Sequence, residues 1–559
     1  MSKLKSNHQN RFIYFWGIFI GCFCLSLPLG AASPIGSLGT DFWLAFPQTD
    51  GINPNSPELL ITSVTGTNGL VQVPGIGFST SFIVSAGGSA VVILPGAVND
   101  MDVDAVSPLG VHVTSQDPVA VVGFNQETYS SEGYLGLPVK ALGVQHIIEA
   151  YNNSQVVSGV WTQFTVVGTQ NGTSVTITLP VASGPHTAGA PYTVPLNQGD
   201  VYQLQDVTAG LDLSGAIVSS NQPVAVFAGN SCGNVPATVD SCNYMVEQLW
   251  PLQWWGVNFF SQPLASRTGG DTFRFLASQN GTTVNVNGSL AASLNRGQLY
   301  EVILSAPSNI TSNLPIFVSQ YSNGRMFDGA AKGDPSMITL PPVSVWASDY
   351  LVPNPWAGFS ANYENLTAPT SIAGAVTLDG VPIPAATFVP IGATGFSGAA
   401  VSVTVAAHRL TAPAPFGVIA YGFESRDAYG YPGGALFFNP TPTSTATPTP
   451  TSTPLPCPPG YTGAKPPGPG VCFTYPAPAS GNELRFAYFM REAGQVEIMV
   501  RNERGDLAAR IAQDQRCGAQ VSVLDIRRFA AGIYYYRVKL KYGSGGEDWL
   551  QTQKFMVLR

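Results

Sequence analysis

The sequence is poor in charged residues and in histidine. Only 10% of its 559 residues are Asp, Glu, Lys or Arg, and five are His. A typical soluble domain carries roughly 25% charged residues. Residues 33–440 hold 8 Lys and Arg against 24 Asp and Glu, a net charge of −16, which would repel nucleic acid. The five histidines show no His-Glu-x-x-His spacing, so nothing indicates a zinc peptidase.

Long apolar runs are also lacking after the first 30 residues. Hydrophobic residues make up 45% of the chain, so a large core is available, but they occur in short runs among 60 Gly and 45 Pro. Many short strands joined by tight turns give this composition. The sequence therefore predicts an all-β protein.

The N-terminus has the three parts of a secretory signal. Lys3, Lys5 and Arg11 precede an apolar run over residues 12–29, and Gly-Ala-Ala follows at residues 30–32. A basic head, an apolar stretch and small residues at a cleavage site are typical of export signals. A membrane anchor is the alternative, since the run is about the minimum length for a span. We expect residues 1–32 to be a signal peptide.

Cysteine usage fits an oxidising compartment. Two of the seven cysteines lie in the predicted signal, and Cys232 and Cys242 are close enough to bridge one loop. Cys457 and Cys472 flank a second loop, rich in proline and glycine, which leaves Cys517 over. A metal site would need more Cys or His ligands at compact spacing. Two disulfides and no metal are therefore predicted.

Similar apolar segments recur along residues 33–440. Each contains one of four prolines, at intervals of 105, 92 and 100 residues: Pro118, Pro223, Pro315 and Pro415. Such recurrence indicates repeated construction. We predict that each segment is a central strand with its proline at the start, where no ladder bond is lost. The first copy is expected around residues 59–126 and the last around 373–423.

Two segments 109 residues apart match closely, over residues 164–177 and 273–286. Each holds Gln-Asn-Gly-Thr between two strand-like runs, at residues 170–173 and 279–282. Asn-Gly suits the positive φ angles of a tight hairpin turn. The pattern therefore predicts a β-hairpin in each copy, and the repeats fit either tandem β-sandwiches or a propeller-like closed ring.

A Pro/Thr-rich tract divides the chain near residue 440. Such a tract cannot form a core and favours an extended, semi-rigid conformation. Beyond it, Val496, Ile498 and Val500 alternate with polar or larger residues, as in half-buried strands. We predict four parts: signal 1–32, repeated β domain 33–440, linker 441–480 and a small Ig-like β-sandwich 481–559.

Several ordered motifs resemble the N-terminal domain of the IgG Fc-binding protein family. They are GTDFWLAFP, the QNGT segments, QPVAVFAGNSC with CNYMVEQLWP, and a closing APFGVIAYGFESRDAYGYPGG. Over about residues 39–438 the resemblance implies a binding domain that also occurs in secreted bacterial proteins. Members of that family have Asp-His where this chain has Asn243-Tyr244. We expect a binding loop at Asn243, Tyr244, Tyr429 and Tyr431.

The C-terminal segment carries a second resemblance. FAYFMREAGQVEIMVRNERGDLAARI and LDIRRFAAGIYYYRVKL resemble the Ig-like tail domain of flagellar-hook-capping proteins, and are similar to sorting domains of bacterial surface proteins. This resemblance implies attachment to the outer membrane or cell surface through residues 481–559.

Signals for catalysis and metal binding are weak. Gly-Asn-Ser231-Cys-Gly fits a nucleophile elbow after a strand, but the proline at 236 argues against the helix that such an elbow needs. Asp100, Asp102 and Asp104 alternate without the glycine and glutamate of an EF-hand loop. Trp254 and Trp255 could stack on a sugar, but packing is the simpler interpretation. No catalytic residue, cofactor or metal ligand is assigned.

These observations lead to one function hypothesis and two alternatives. The first is a non-enzymatic bacterial binding or adhesion protein, secreted or on the cell surface, that recognises an extracellular glycoprotein, glycan or other macromolecule. The alternatives are a structural component of an envelope or matrix, and a serine hydrolase centred on Ser231.

Overall fold

A computed structural model describes two parts of the chain. The first part comprises residues 35–49, 51, 55–99, 101–154, 157–355 and 358–437, and the second comprises 472–475, 483–490, 494–502, 504, 506–515, 518–542, 547–550 and 553–557. The chain divides into two compact units, residues 1–443 and 444–559. In the described ranges, no helix is long and apolar enough to cross a membrane.

The first unit contains four similar β-sandwiches, which we call blades 1 to 4. Strand β1 (Ile35–Gly36) precedes them, and β32 (Leu436–Phe437) follows. Blade 1 comprises β2 (Gly39–Leu44), β3 (Asn55–Ser63), β4 (Thr67–Val73), β5 (Phe78–Val84), β6 (Gly88–Ile93), β8 (Val111–Glu127) and β9 (Glu132–Leu135). The short strand β7 (Ala105–Ser107) lies between β6 and β8 in the chain and is not part of this sheet. Blade 2 comprises β10 (Gly143–Ile147), β11 (Thr162–Gly168), β12 (Thr173–Thr178), β13 (Pro191–Leu196), β14 (Val201–Asp206), β15 (Ile217–Asn234) and β16 (Cys242–Gln248).

Blades 3 and 4 repeat the same plan. Blade 3 comprises β17 (Gly256–Ser261), β18 (Asp271–Ala277), β19 (Thr282–Val286), β20 (Ser289–Leu294), β21 (Leu299–Leu304), β22 (Ser308–Ser322) and β23 (Ser336–Thr339). Blade 4 comprises β24 (Ala347–Pro353), β25 (Ala361–Pro369), β26 (Thr377–Leu378), β27 (Val381–Pro382), β28 (Val389–Pro390), β29 (Phe396–Val403), β30 (Ala407–Glu424) and β31 (Asp427–Pro432). A four-residue helix, Arg325–Asp328, and several single 3₁₀ turns connect strands: Pro74–Ile76, Gly96–Asn99, Val139–Ala141, Leu252–Trp254, Val343–Val345, Thr370–Ala375 and Ala385–Thr387.

One long strand organises each blade: β8, β15, β22 and β30. In blade 2, residues 217–220 of β15 pair with β12, and residues 224–230 pair with β11. Strands β10 and β16 pair with its two halves in the same way. The long strand therefore belongs to both sheets of its sandwich, and all four blades repeat this order.

The four repeat prolines lie in the middle of these long strands, not at their start as predicted. Around Pro223 the pairing of β15 with β10 shifts between Ser219 and Val224. Equivalent shifts occur in the other three blades. Strands pass from one sheet to another through such irregularities, and a proline is tolerated there because the ladder is already interrupted.

The prediction of a β-hairpin at each Asn-Gly pair is also wrong, although the chain does turn at both pairs. Strands β11 and β12 flank Asn171-Gly172 but do not pair with each other, because each pairs with a different half of β15. Only the glycines have positive φ, 71° at Gly172 and 75° at Gly281. The turns therefore pass the chain between two sheets instead of closing a ladder.

The blades form a closed ring around their last strands. Strand β9 packs against β16, β16 against β23, β23 against β31, and β31 against β9. Strands β1 and β32 pair antiparallel, Ile35 with Phe437, and join the two ends of the ring. The protein thus combines both predicted arrangements, since it is a ring built from β-sandwiches.

The second unit is a small Ig-like sandwich. Its strands are β33 (Cys472–Tyr475), β34 (Glu483–Met490), β35 (Gly494–Asn502), β36 (Leu507–Gln515), β37 (Gly518–Asp525), β38 (Gly532–Tyr542), β39 (Glu547–Trp549) and β40 (Gln553–Val557). One sheet has the order β33-β34-β37, and the other has β36-β35-β38-β39 with β40 paired to β38. The alternating Val496, Ile498 and Val500 are fully buried between them.

Candidate binding site

The predicted disulfide joins Cys232 to Cys242. The two Cα atoms are 5.0 Å apart. Cys232 lies near the end of β15 and Cys242 begins β16, so the bond closes the connection that leads into the ring centre. Thr238 and Asp240 are the exposed residues of this loop. The second predicted pair, Cys457 with Cys472, lies outside the residues whose side chains are described, and so does Cys517, which the predicted pairing leaves over.

The loop rests on blade 3. The N–H of Gly324 donates to the carbonyl of Val235 at 2.7 Å, and the Ser241 hydroxyl donates to the carboxylate of Asp334. A Cβ added to Gly324 would lie 2.6 Å from the Cβ of Ser241, so the backbones approach closely. The disulfide and these contacts hold the exposed tip in place.

The four residues of the predicted binding loop are buried: Asn243, Tyr244, Tyr429 and Tyr431 each have 0% exposure. Their polar atoms are used inside the ring. The Tyr244 hydroxyl donates to the Pro47 carbonyl at 2.7 Å, and the Tyr431 hydroxyl donates to the carbonyl of Pro353. A macromolecule on the surface cannot touch these side chains directly, because the ring covers them.

The inner strands need polar partners because each is the last strand of its sheet. One edge of β9, β16, β23 and β31 pairs with the long strand of its blade, and the other edge faces the ring centre. Unpaired backbone groups buried away from water are costly. Five buried side chains provide partners, and we call them the axis side chains: Glu132, Asn243, Glu247, Gln248 and Asp427.

Asn243 donates to three other blades. Its Nδ2 lies 3.1 Å from the carbonyl oxygen of Ser131, 2.8 Å from that of Pro335 and 3.3 Å from that of Ala428. The amide has two N–H groups, so the three carbonyl oxygens share two hydrogens. An aspartate at this position, as in the family pattern, would place its carboxylate oxygens next to the carbonyl oxygens and, when ionised, could not donate a hydrogen bond to them.

The acidic axis side chains accept backbone N–H groups. Glu132 accepts from Gly133 at 3.0 Å, from Gly430 at 2.9 Å and from Met337 at 2.8 Å. Glu247 accepts from Thr339 at 2.8 Å. Burial raises the pKa of both carboxyl groups well above the usual range, although the backbone donors act in the opposite direction.

Asp427 makes the corresponding contacts in blade 4. Its Oδ1 accepts from the N–H of Ser131 at 2.7 Å and of Ala428 at 3.0 Å, and its Oδ2 accepts from the Ser131 hydroxyl at 2.9 Å. Burial raises the pKa of this carboxyl to about 7. Gln248 completes the set, because its Oε1 accepts from the N–H of Leu137 at 2.7 Å. The axis side chains therefore hold the ring closed.

Ser231 does not form a nucleophile elbow. It lies inside β15 with 0% exposure, and its hydroxyl accepts from the N–H of Trp161 at 3.0 Å. The one downstream histidine, His408, is in blade 4, where Asp379 contacts it at 2.7 Å. A serine in mid-strand with its oxygen already bonded is not presented to a substrate.

The other weak signals also have structural explanations. Asp104 contacts His186 at 2.8 Å and accepts from the Tyr202 hydroxyl at 2.6 Å, while Asp100 lies outside the described residues. No group of three or more His, Cys, Asp or Glu gathers as metal ligands in the part of the chain that the structure describes. Trp254 and Trp255 are buried, as the packing interpretation predicts.

Together these features define a closed ring of repeated β-sandwiches whose axis side chains bond between blades. The sequence pattern of the family described as IgGFc binding protein matches residues 132–422. The chain belongs to this family, as its motifs predict. The match covers the end of blade 1 and most of the other three blades.

The IgGFc-binding protein of Homo sapiens is 27% identical over 385 residues, which are 67% of this chain and 7% of the human protein. The chain therefore spans a small fraction of that relative. Two solved structures overlap weakly. Latent PorU from Porphyromonas gingivalis has 10% identity and a TM-score of 0.15 over 60% of this chain and 31% of its own. A tetra-tandem repeat from the extending region of a large adhesion protein has 10% identity and a TM-score of 0.14 over 79% of this chain and 95% of its own.

Proposed function

We propose that the ring is an extracellular binding module that recognises a protein or glycoprotein. Membership of the IgGFc binding protein family is the observation that carries this proposal. The architecture supports it, because the axis side chains bond between blades and the exposed connections between strands are left for binding. Connections held by a rigid scaffold are common binding surfaces in proteins.

The negative charge of the ring limits which partners it can bind. Residues 33–440 carry a net charge of −16. Several of the eight cations are already paired, as Arg409 is with Asp349 at 2.7 Å and Arg267 with Asp328 at 2.9 Å. A neutral or basic face on the partner would meet this surface without repulsion, and a polyanion such as nucleic acid would not.

The rest of the chain supports display outside the cell. We propose that residues 1–32 direct export, that the Pro/Thr-rich segment 441–480 spaces the ring from a surface, and that the Ig-like unit 481–559 attaches to it. This organisation is that of a bacterial surface or secreted adhesion protein. The disulfide between Cys232 and Cys242 is consistent with an oxidising compartment.

Surface plasmon resonance with the purified full chain tests the proposal. The analytes are IgG Fc and secreted mucus glycoproteins, with a nucleic acid as negative control, and a glycan array is probed in parallel with the same chain. We expect saturable binding to a protein or glycoprotein that weakens with added salt if the partner's face is basic. A chain that binds none of these and instead assembles into polymers would contradict the proposal and favour a structural role.

A further inference from the structure

Each blade has one strand that ends a sheet beside the second strand of that blade. We call these four strands the side strands: β6, β14, β21 and β29, which pair with β3, β11, β18 and β25. One edge of a side strand forms the ladder, and alternate residues turn their backbone N–H and C=O groups to the other edge. Such an edge can pair with a further strand unless something covers it.

Two side strands are covered by the chain itself. In blade 2, Val103 forms a parallel bridge with Gln203 of β14, and the N–H of Asp104 donates to the Gln203 carbonyl at 2.8 Å. In blade 4, β28 pairs with β29 through Val389 and Gly398. An extended segment therefore occupies this edge in two of the four blades.

The side strand of blade 3, β21, is open. Glu301 of β21 pairs with Arg274 of β18. In blade 2, Gln203 pairs with Thr165, which matches Arg274 in the two similar segments that lie 109 residues apart. Glu301 is therefore equivalent to the covered Gln203. Among the residues that the structure describes, β21 pairs with β18 alone, and no segment forms a ladder at its other edge.

Three residues of β21 turn their backbone groups to this open edge. The N–H of Ala277 donates to the Gln298 carbonyl at 3.0 Å, which marks a hydrogen-bonded position of the ladder. Hydrogen-bonded and non-hydrogen-bonded positions alternate along an antiparallel pair, so the N–H and C=O groups of Leu299, Glu301 and Ile303 point away from β18. Glu301 and Ile303 are also exposed. A strand that arrives from solvent can therefore pair with this edge.

The edge has little protection against strand addition. Residues 299–304 read Leu-Tyr-Glu-Val-Ile-Leu, and their ladder with β18 has no bulge. Proline, bulges and charged side chains are what protect edge strands in soluble proteins. One charge is present, at Glu301, which lies 2.7 Å from Arg274. Arg274 also pairs with Asp212 at 2.8 Å, so two carboxylates share one cation and negative charge is in excess.

We propose that a partner protein adds an extended strand to β21, with apolar residues around a lysine or arginine that lies opposite Glu301. Main-chain hydrogen bonds supply affinity in this mode of recognition, and alternate side chains supply specificity. The cation meets the excess negative charge, since directly opposite side chains of paired strands interact. The inference rests on the proposed binding function and adds a strand edge to the exposed connections as a binding surface.

Other occupants and another edge fit less well. Two copies of the chain that paired antiparallel about Glu301 would place like charges directly opposite each other. The chain's own linker carries eight prolines within residues 440–459, and proline cannot donate to a ladder. The side strand of blade 1, β6, is also open, but residues 88–99 include no charged side chain to attract a cationic strand.

Fluorescence anisotropy with the full chain tests the site. The probe is a labelled, acetylated Thr-Ile-Lys-Val-Thr-Val peptide. One control peptide has glutamate in place of lysine, and the other is Thr-Pro-Lys-Pro-Thr-Pro, which keeps the cation but cannot form a strand. We expect saturable binding of the lysine peptide and binding weaker by about tenfold or more for both controls, because each loses an ion pair or ladder hydrogen bonds.

Two substitutions at Ile303 block the edge. Ile303→Pro removes an N–H that points to solvent, a position where edge strands tolerate proline. Ile303→Lys adds a protecting charge at a side chain that is 41% exposed. Both should weaken binding of the lysine peptide by about tenfold or more. Val91→Pro is the matched control, because the N–H of Val91 also points away from the ladder of its side strand, and it should leave binding unchanged.

The proposal is overturned if the natural chain does not bind the lysine peptide, or if both Ile303 variants bind it as well as the natural chain. Loss of binding in Val91→Pro alone would place the strand on β6 and also overturn it. So would a dimer of the natural chain, seen by analytical ultracentrifugation, that both Ile303 variants abolish.

Surface plasmon resonance separates this site from the proposed function. A glycoprotein that binds the natural chain and Ile303→Pro equally well would reject this site alone. Peptide binding that depends on Ile303, in a chain that binds no protein or glycoprotein, would reject the proposed function and leave the site.

Discussion

Replacing Asn243 by aspartate tests the closure of the ring. The substitution removes one Nδ2 donor from three carbonyls and places a carboxylate among them in a fully buried position. The amide carries two N–H groups, so the three contacts share two hydrogens, and losing them while leaving an unpaired charge in a buried position typically costs about 3–5 kcal/mol in total. We expect the free energy of unfolding to fall by about 3–5 kcal/mol at pH 7.5.

The loss should depend on pH. Burial raises the pKa of a carboxyl group, so the new aspartate would take up a proton in mild acid and could then donate to one carbonyl. Urea unfolding followed by tryptophan fluorescence at pH 7.5 and pH 4.5 measures both values. We expect the difference between Asn243→Asp and the natural chain to be smaller at pH 4.5.

Asn171→Asp is the matched control for the same chemical change. Asn171 lies in an exposed turn, and its Oδ1 accepts from the N–H of Gln198 at 3.1 Å, a contact that aspartate retains. Its unfolding free energy should change by less than about 0.5 kcal/mol. If Asn243→Asp costs no more than this control, the three carbonyls do not depend on Asn243 and the account of the axis is refuted.

Two further predictions concern the same region. Asp427 keeps its proton in the folded state up to a pKa of about 7 but releases it near 3.8 when unfolded, so stability should fall by about 4 kcal/mol as pH rises from 4 to 7. Asp427→Asn should remove this part of the pH dependence of stability, because asparagine does not titrate while its Oδ1 still accepts both N–H groups. Thermal unfolding across pH 4–9 measures the effect, and an unchanged pH dependence would contradict the prediction. Replacing Cys232 and Cys242 by alanine should cost about 2–3 kcal/mol of unfolding free energy in urea titrations, and an unchanged value would contradict this prediction.

The four-fold repetition could be predicted from the sequence because the long strands share a strong local pattern. Each carries an apolar run around a proline, so the number of blades and the all-β class follow. A proline in the middle of a strand is tolerated only where the strand pairing shifts between two sheets. The sequence does not show such shifts, so it predicts these prolines at strand starts. That shift depends on partners such as Ser219 and Val224 of β15 with β10, which no local pattern reveals.

The axis side chains could not be assigned from the sequence. Glu132, Glu247 and Asp427 are acidic residues in short, mostly apolar strands. This pattern is visible in the sequence, but it does not reveal which groups form hydrogen bonds with these carboxylates. Their partners in other blades lie 92 to 298 residues away along the chain, as with Glu132 and Gly430. The sequence places Asn243 and Tyr244 in a binding loop next to the disulfide, whereas in the structure both lie in β16 and are buried at the ring centre.

Hydrogen exchange of the inner-strand amides tests the closed ring most directly. The N–H groups of Ser131, Met337 and Gly430 donate across blades to Asp427 and Glu132. Peptide-level exchange of the full chain should show residues 131–135, 336–339 and 427–432 among the slowest to exchange, slower than the outer strands β5 and β20. If these segments exchange as fast as the outer strands, the blades are not closed around a common axis.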